Sequence, residues 1–172
     1  GASPRPIQDY ISNDGMPWVK ISDASASPSK YLFSTAEYII ADGISKSRVV
    51  VPETLIVSNS ASPGLPMIMK ITACVHDGWL IIDEYNSVSR EYMYYHFLNE
   101  RQNLISSSNG SVFNNLKTEI VKNHRVIIPD PDTMDKLTTI FLHLNNQILA
   151  NAKEIALLAN TKDSLLSKLY AN

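Results

Sequence analysis

Four histidines and one cysteine are the residues of this sequence best suited to catalysis or metal binding. The histidines lie far apart, without the spacing of metal ligands: they are His76, His96, His124 and His143. Cys74 stands between apolar neighbours and resembles a small buried hydrophobic residue. The sequence contains no dinucleotide-binding glycine loop, Walker A loop or nucleophile elbow, no acidic residue two positions before a lysine, and no Asn-Pro-Pro-aromatic motif. It therefore predicts a protein that is not an enzyme and that needs no metal or other cofactor.

The composition limits the class of protein further. The chain has 172 residues, of which 44% are hydrophobic and 19% charged, and its net charge is −2. This charge lacks the basic excess of a nonspecific nucleic-acid binder but leaves room for a local basic patch. A single cysteine excludes an internal disulfide framework and predicts a reduced compartment, the cytoplasm. Neither a signal peptide nor an apolar run of the ~18–20 residues that span a membrane is predicted.

The first 130 residues have the pattern of short strands between turns rich in Pro, Gly and Ser. The predicted strands are 18–21, 37–40, 48–51, 54–58, 67–72, 79–82 and 126–128. Within residues 89–104, Tyr92, Tyr95 and Leu98 recur near helical spacing, which predicts a helix packed on the sheet. The pattern predicts an α+β fold whose β domain is mainly antiparallel.

The clearest pattern is a long C-terminal helix. Asp130 and Pro131 suit its first turn, and no Pro or Gly interrupts residues 132–172. Its key positions advance by alternating steps of three and four over about four heptads, the spacing of a coiled coil. This seam consists of Phe141, Leu144, Ile148, Asn151, Ile155, Leu158, Lys162, Leu165 and Leu169.

The length of this helix predicts a partner for the seam. A helix of ~38 residues is roughly 55 Å long, which exceeds the diameter expected of the preceding domain. We therefore expect the seam to pair with a second helix rather than to lie on its own domain. The predicted division is a domain at 1–129 and a coiled-coil dimerisation helix at 130–172.

Six segments of the chain carry short motifs in a fixed order. Residues 1–4 read Gly-Ala-Ser-Pro, and residues 17–23 form a Trp-led strand that ends in Ser and Asp. Residues 128–131 read Ile-Pro-Asp-Pro and lead into the heptad helix. The other segments are 41–44, 52–58 with Gly64, and 110–116. Together they resemble the target recognition domain and spacer helix of type I restriction-modification specificity subunits.

This resemblance implies a protein that reads DNA without chemistry of its own. Specificity subunits hold a methyltransferase (modification) subunit and a restriction subunit around the DNA. A full-size member has two recognition domains and two spacer helices, whereas this chain has one of each and resembles a half-size form. The implied partners are double-stranded DNA, both enzymatic subunits and a second copy of the chain, paired antiparallel through the C-terminal helix.

The resemblance also implies DNA-binding residues on predicted loops, because Arg and Lys reach guanine and phosphate whereas Asn reaches adenine. Lys46 and Arg48 form the most compact basic pair, although a strand edge kept charged against aggregation gives the same pattern. Asn59 and Ser60 suit either a loop near a nucleic-acid backbone or an ordinary turn. The expected DNA-binding residues are Ser3, Arg5, Lys20, Ser22, Lys30, Lys46, Arg48, Asn59, Ser60 and His76.

Two other functions stay open at this point. The chain could be an interaction or adaptor module that dimerises through its coiled coil and binds no DNA. It could also be an enzyme with an unfamiliar site, which the missing motifs disfavour.

Overall fold

Two β-sheets and a layer of helices are stacked in the computed structural model, which describes residues 1–108 and 115–170. The first sheet has the strand order β1-β4-β2-β8-β5, and the second has the order β3-β7-β6-β9. The strands are β1 (Ile11–Ser12), β2 (Met16–Val19), β3 (Tyr31–Leu32), β4 (Glu37–Ile39), β5 (Arg48–Val50), β6 (Leu55–Ser58), β7 (Pro66–Met69), β8 (Ala73–Val75) and β9 (Trp79–Ile82). The α-helices are α1 (Ile21–Ala26), α2 (Ala41–Ile44), α3 (Arg90–Ser108), α4 (Thr118–Lys122) and α5 (Pro131–Tyr170), and a 3₁₀ turn spans Ile7–Asp9.

The predicted fold class is confirmed. Five of the seven strand pairs are antiparallel, and the β2–β8 and β3–β7 pairs are parallel. Six of the predicted strands overlap observed ones, and the predicted helix at 89–104 corresponds to α3. The strand predicted at 126–128 is wrong: this stretch is irregular, and Ile127 is 81% exposed. The motif at 110–116 lies outside the described residues except for its last two positions.

The second sheet is the middle layer, which explains its apolar sequence. Side chains alternate between the two faces of a strand. In β6, Ile56 therefore packs between the sheets, whereas Leu55 and Val57 pack against α3. All four β6 residues are buried because both faces are covered.

Asp23, the last residue of the Trp-led motif, is buried and holds the turn from β2 into α1. Its carboxylate accepts hydrogen bonds from the backbone N–H groups of Lys20 (2.7 Å) and Ala36 (3.0 Å). These bonds satisfy donors of the first helical turn and of the chain leading to β4.

The C-terminal helix α5 begins where the sequence predicts. The Asp130 carboxylate accepts hydrogen bonds from the backbone N–H (3.0 Å) and the hydroxyl (2.7 Å) of Thr133, as a helix N-cap does. The helix has 40 residues, which corresponds to roughly 60 Å. None of the helices in the described ranges combines the length and apolar character needed to cross a membrane.

The first half of α5 lies on its own domain, which corrects the expectation that the whole seam is free. Met134, Asn145 and Ala152 are buried, and the Phe141 ring lies 4.5 Å from that of Tyr95. Ile148 packs against the core between the second sheet and α3. Every residue at 153–170 is exposed, and the helix extends about 27 Å past its last buried residue, although Ile155, Ala156 and Ala159 still border a groove against the domain.

Candidate nucleic-acid interface

The strand pairing gathers predicted DNA-binding residues at one end of the first sheet. Strands β2 and β8 run parallel with Val19 opposite Val75, so Lys20 and His76 leave the sheet at the same end. Strand β5 is antiparallel to β8 and places Arg48 opposite Val75, which brings Arg48 to this end too. A short stretch of sequence pattern could not have given this proximity, because it depends on which strands are neighbours.

A surface cleft of about 590 Å³ opens at this end. It is lined by four of the predicted DNA-binding residues together with apolar and acidic neighbours. The lining includes Ser3, Arg5, Gln8, Trp18, Lys20, Glu37, His76 and Asp77. The cleft therefore combines hydroxyl, amide, imidazole and cationic groups, the types that contact base edges and phosphates.

Asn59 holds the 76–78 turn beside the cleft, and the Ser60 hydroxyl lies next to the same turn. The Asn59 side-chain amide donates to the Asp77 carbonyl (3.1 Å), and the Asn59 backbone N–H donates to the Gly78 carbonyl (2.8 Å). A Cβ on Gly78 would lie 2.1 Å from the His76 ring and 3.0 Å from the Ser60 hydroxyl. A side chain at position 78 would therefore require the His76 ring to move.

His76 presents a defined hydrogen-bonding edge. Burial lowers the pKa of its imidazole, although the nearby Asp77 carboxylate partly opposes this. The neutral ring accepts the Gly78 backbone N–H at Nδ1 (2.6 Å), so its proton is on Nε2. His76 can thus donate one hydrogen bond from Nε2 to an acceptor in the cleft.

The cations of the cleft are neutralised by carboxylates. Arg5 forms an ion pair with Asp77 (2.6 Å), and Lys20 forms one with Glu37. Burial alone would raise the pKa of Asp77, but hydrogen bonds from Ser3 and Arg5 outweigh it and hold that pKa below its usual value. Both cations would have to exchange their carboxylates for phosphates in order to bind DNA.

Arg48 and Lys46 differ in whether their charged groups already have a contact within the protein. Arg48 is exposed and takes part in none of the ion pairs found among the described residues. The Lys46 ammonium contacts the Tyr10 hydroxyl and lies 4.5 Å from the centre of that ring. Ser47, between them, donates to the Ala2 carbonyl (2.8 Å), so this basic pair borders the N-terminal segment.

Two predicted DNA-binding residues lie elsewhere. Ser22 is exposed on α1 but does not line the cleft. The prediction for Lys30 is wrong: only 8% of the residue is exposed, and its ammonium is bound by Asn145 beneath α5. Lys30 resembled a loop cation in the sequence because α5, which covers it, is more than 100 residues away.

Gln8 is a lining residue that the sequence analysis missed. It is exposed in the 3₁₀ turn, and a Gln amide can bind adenine through N6 and N7. Nothing in the local sequence marks Gln8, because only the fold carries this turn to the cleft.

In the described ranges, no three His, Cys, Asp or Glu side chains are grouped so as to hold a metal ion. Cys74 is fully buried, and burial raises the pKa of its thiol.

The predicted seam divides into two parts along α5. Phe141 and Ile148 pack against the domain, as described above. Asn151 is exposed and accepts a hydrogen bond from the Gln147 side chain (3.0 Å). The exposed apolar members are Leu144 (50%), Ile155 (51%), Leu158 (61%), Leu165 (55%) and Leu169 (70%), and Lys162 lies among them beside Asp163 (3.0 Å).

Two solved structures have a fold similar to that of this chain. No family model matches the sequence. A chain from the structural description of complex assembly and conformational transition of the type I R-M system matches 96% of this chain with a TM-score of 0.64 and 16% identity. The HsdS subunit from Thermoanaerobacter tengcongensis matches 98% of it with a TM-score of 0.63 and 15% identity. This chain spans 40% of the length of each. The predicted resemblance is thus confirmed at the level of the fold: the chain has the fold of part of a type I restriction-modification specificity subunit.

Proposed function

We propose that this chain is a DNA-recognition module of a type I restriction-modification system, which reads one half of a bipartite target. The observation that carries this proposal is the cleft at the end of the first sheet. The cleft brings together Arg5, Gln8, Lys20 and His76 from separate segments, and Arg48 lies at the same end of the sheet, within a fold shared with an HsdS subunit.

We further propose a division of roles at residue 130. Residues 1–129 would read DNA, and residues 130–172 would join two reading domains and give the methyltransferase and restriction subunits a surface to assemble on. No catalysis is assigned to the chain, and the reaction would belong to those cytoplasmic partners. The relation to chains of a type I R-M system supports these partners.

The electrostatics of the cleft shape the expected affinity. Because Arg5 and Lys20 are paired with carboxylates and the net charge is −2, isolated domains should bind DNA weakly. Two linked domains would gain affinity through their joint attachment to one duplex. Because isolated domains bind weakly and linked domains gain affinity, DNA binding should depend on the joining of two chains.

We propose that this assembly is an antiparallel homodimer through the exposed part of α5. The seam residues from Asn151 to Leu165 pair in one register, with Leu158 beside the same residue of the second copy and Ile155 opposite Lys162. In this register Leu144 lies beyond the overlap, and Asn151 and Lys162 are polar positions that restrict alternative registers. The two copies of Asn145 would be separated by roughly 40 Å along the helices, or about 12 base pairs at ~3.4 Å each. The target would then be an interrupted palindrome.

DNA binding by the full chain, with and without a type I methyltransferase subunit, tests the proposal. Fluorescence anisotropy with a mixed-sequence duplex at two salt concentrations should show binding that weakens with salt. Replacement of Lys20 and Arg48 by Ala should weaken it further, whereas Lys168→Ala, at the far end of α5, should not. Absence of binding in both forms would contradict the proposal.

The adaptor function is the second candidate, and the internal ion pairs of the cleft favour it. If Arg5–Asp77 and Lys20–Glu37 only stabilise the fold, Asp77→Asn should lower stability and produce no DNA binding. If the cleft binds DNA, the same variant should release Arg5 and raise the affinity.

A further inference from the structure

A buried polar contact joins the recognition domain to the middle of α5. Lys30 and Asn145 are 8% and 4% exposed, and the Lys30 ammonium donates to the Asn145 side-chain oxygen. The Tyr95 hydroxyl donates to the same oxygen (3.2 Å). Buried polar groups are costly unless they are hydrogen-bonded, so each residue depends on the other.

Aromatic rings complete the surroundings of the Lys30 ammonium. Its nitrogen lies 4.3 Å from the ring centre of Tyr94, 4.7 Å from that of Tyr95 and 5.5 Å from that of Tyr31. The Lys30 backbone is held by β7, because its carbonyl accepts the Ile68 N–H (2.9 Å). The cation therefore has a fixed place, and Asn145 is its hydrogen-bond acceptor on α5.

The apolar pattern of α5 would allow a second docking position. If the helix moved one turn toward its own C-terminus, apolar residues would occupy most of the present contact sites. Leu137, Phe141, Leu144 and Ile148 would then stand where Phe141, Asn145, Ile148 and Ala152 now lie. The losses in this position are at Lys30, which would face a phenyl ring instead of an amide oxygen, and at the sites of Met134 and Leu149, which Asp130 and Asn145 would occupy.

We infer that Lys30 and Asn145 are positioning residues that fix the register of α5 against the recognition domain. The alternative position differs by four residues, or about 6 Å along the helix, and the buried Lys30–Asn145 contact adds to the packing of Met134 and Leu149 in opposing it. A single buried asparagine selects between coiled-coil registers in the same way.

The consequence for DNA rests on the proposed function. In the antiparallel homodimer, a slip of one turn in each copy would move the recognition domains about 12 Å further apart. That distance equals three to four base pairs at ~3.4 Å each. The Lys30–Asn145 contact would thus set the spacing between the two half-sites.

Pulsed electron spin resonance on the full chain can measure this register without DNA. Nitroxide labels are attached at Glu84→Cys, near the Ser89–Thr138 contact at the start of α5, and at Asn160→Cys on its projecting part. Cys74 is fully buried and should not take the label. Labelled protein is diluted with unlabelled protein so that only distances within one chain contribute.

Exchanging two residues of α5, with Phe141→Asn and Asn145→Phe, moves the amide one turn toward the N-terminus. The helix should then slide one turn toward its own C-terminus, so that the amide at position 141 meets Lys30, and the label distance should lengthen by up to about 6 Å. Adding Lys30→Met should abolish this shift. An unshifted distance in the exchanged variant, or a shift that survives Lys30→Met, would overturn the inference.

Asn145→Leu provides a second test if the exchanged variant does not fold. This variant should give two label distances, the original and one up to about 6 Å longer. A single unchanged distance would refute the inference that Lys30 and Asn145 fix the register of α5. Because no DNA is present, a result against this register role is distinct from a failure of the proposed DNA binding.

Discussion

Charged substitutions in the projecting part of α5 should separate the dimer into monomers. Leu158 and Leu165 are 61% and 55% exposed in the single chain. Burial of a leucine stabilises by ~1.5–3 kcal/mol, and about half of each side chain is available for burial. Since twofold symmetry counts each residue twice, replacing both by Glu should cost ~3–6 kcal/mol. The dissociation constant should therefore rise about 10²–10⁴-fold.

Sedimentation equilibrium over a range of protein concentrations measures this change. Asn160→Glu is the matched control, because it adds the same charge at an exposed position outside the seam. The control should dimerise like the wild type, and far-ultraviolet circular dichroism should show an intact recognition domain in the double variant. A wild-type chain that is monomeric at micromolar concentration, or a double variant with an unchanged dissociation constant, would refute the reasoning.

Three further predictions concern other parts of the molecule. Asp23→Ala should lower the free energy of unfolding in urea by ~3 kcal/mol, because two backbone N–H groups lose a charged acceptor; a loss below about 1 kcal/mol would contradict this role. Lys46→Ala with Arg48→Ala should reduce the slope of log K for DNA binding against log [salt] by up to ~2, and an unchanged slope would exclude both residues from phosphate contact. The pKa of Lys30 falls from 10.5 to about 8 on folding, chiefly through burial, so Lys30 binds more protons in the unfolded chain between these values and should contribute a rise in the free energy of unfolding with pH from about 8 to 10. Lys30→Met should remove that rise, and an equal rise in both proteins would show that Lys30 is not its source.

The sequence was most informative where local patterns govern structure. Helix α5 was predictable from its cap and heptads, and three of the four strands of the second sheet, β6, β7 and β9, from short runs of β-branched and apolar residues. Strand neighbours could not be predicted, because alternation shows which face is buried but not which strand lies alongside. The parallel β2–β8 pair, which brings Lys20 to His76, is therefore a result of tertiary structure.

The two largest errors concern α5 and have one cause. The seam was treated as free because its length exceeds a domain diameter, yet a long helix can lie on its domain and also project beyond it. Asn145 was not singled out, and Lys30 was assigned to the surface, because both are polar. Their burial depends on a contact between residues 115 positions apart, which no short sequence pattern contains.

Selection of binding sites from a random duplex library by the assembled protein tests the central claim most directly. If the chain is a recognition module that dimerises through α5, the selected duplexes should share an interrupted palindrome with a constant spacing between its half-sites. Replacing Leu158 and Leu165 by Glu should abolish this enrichment while leaving the recognition domain folded. Selected duplexes with no shared sequence, in the presence of a methyltransferase subunit as well as in its absence, would contradict the proposed function.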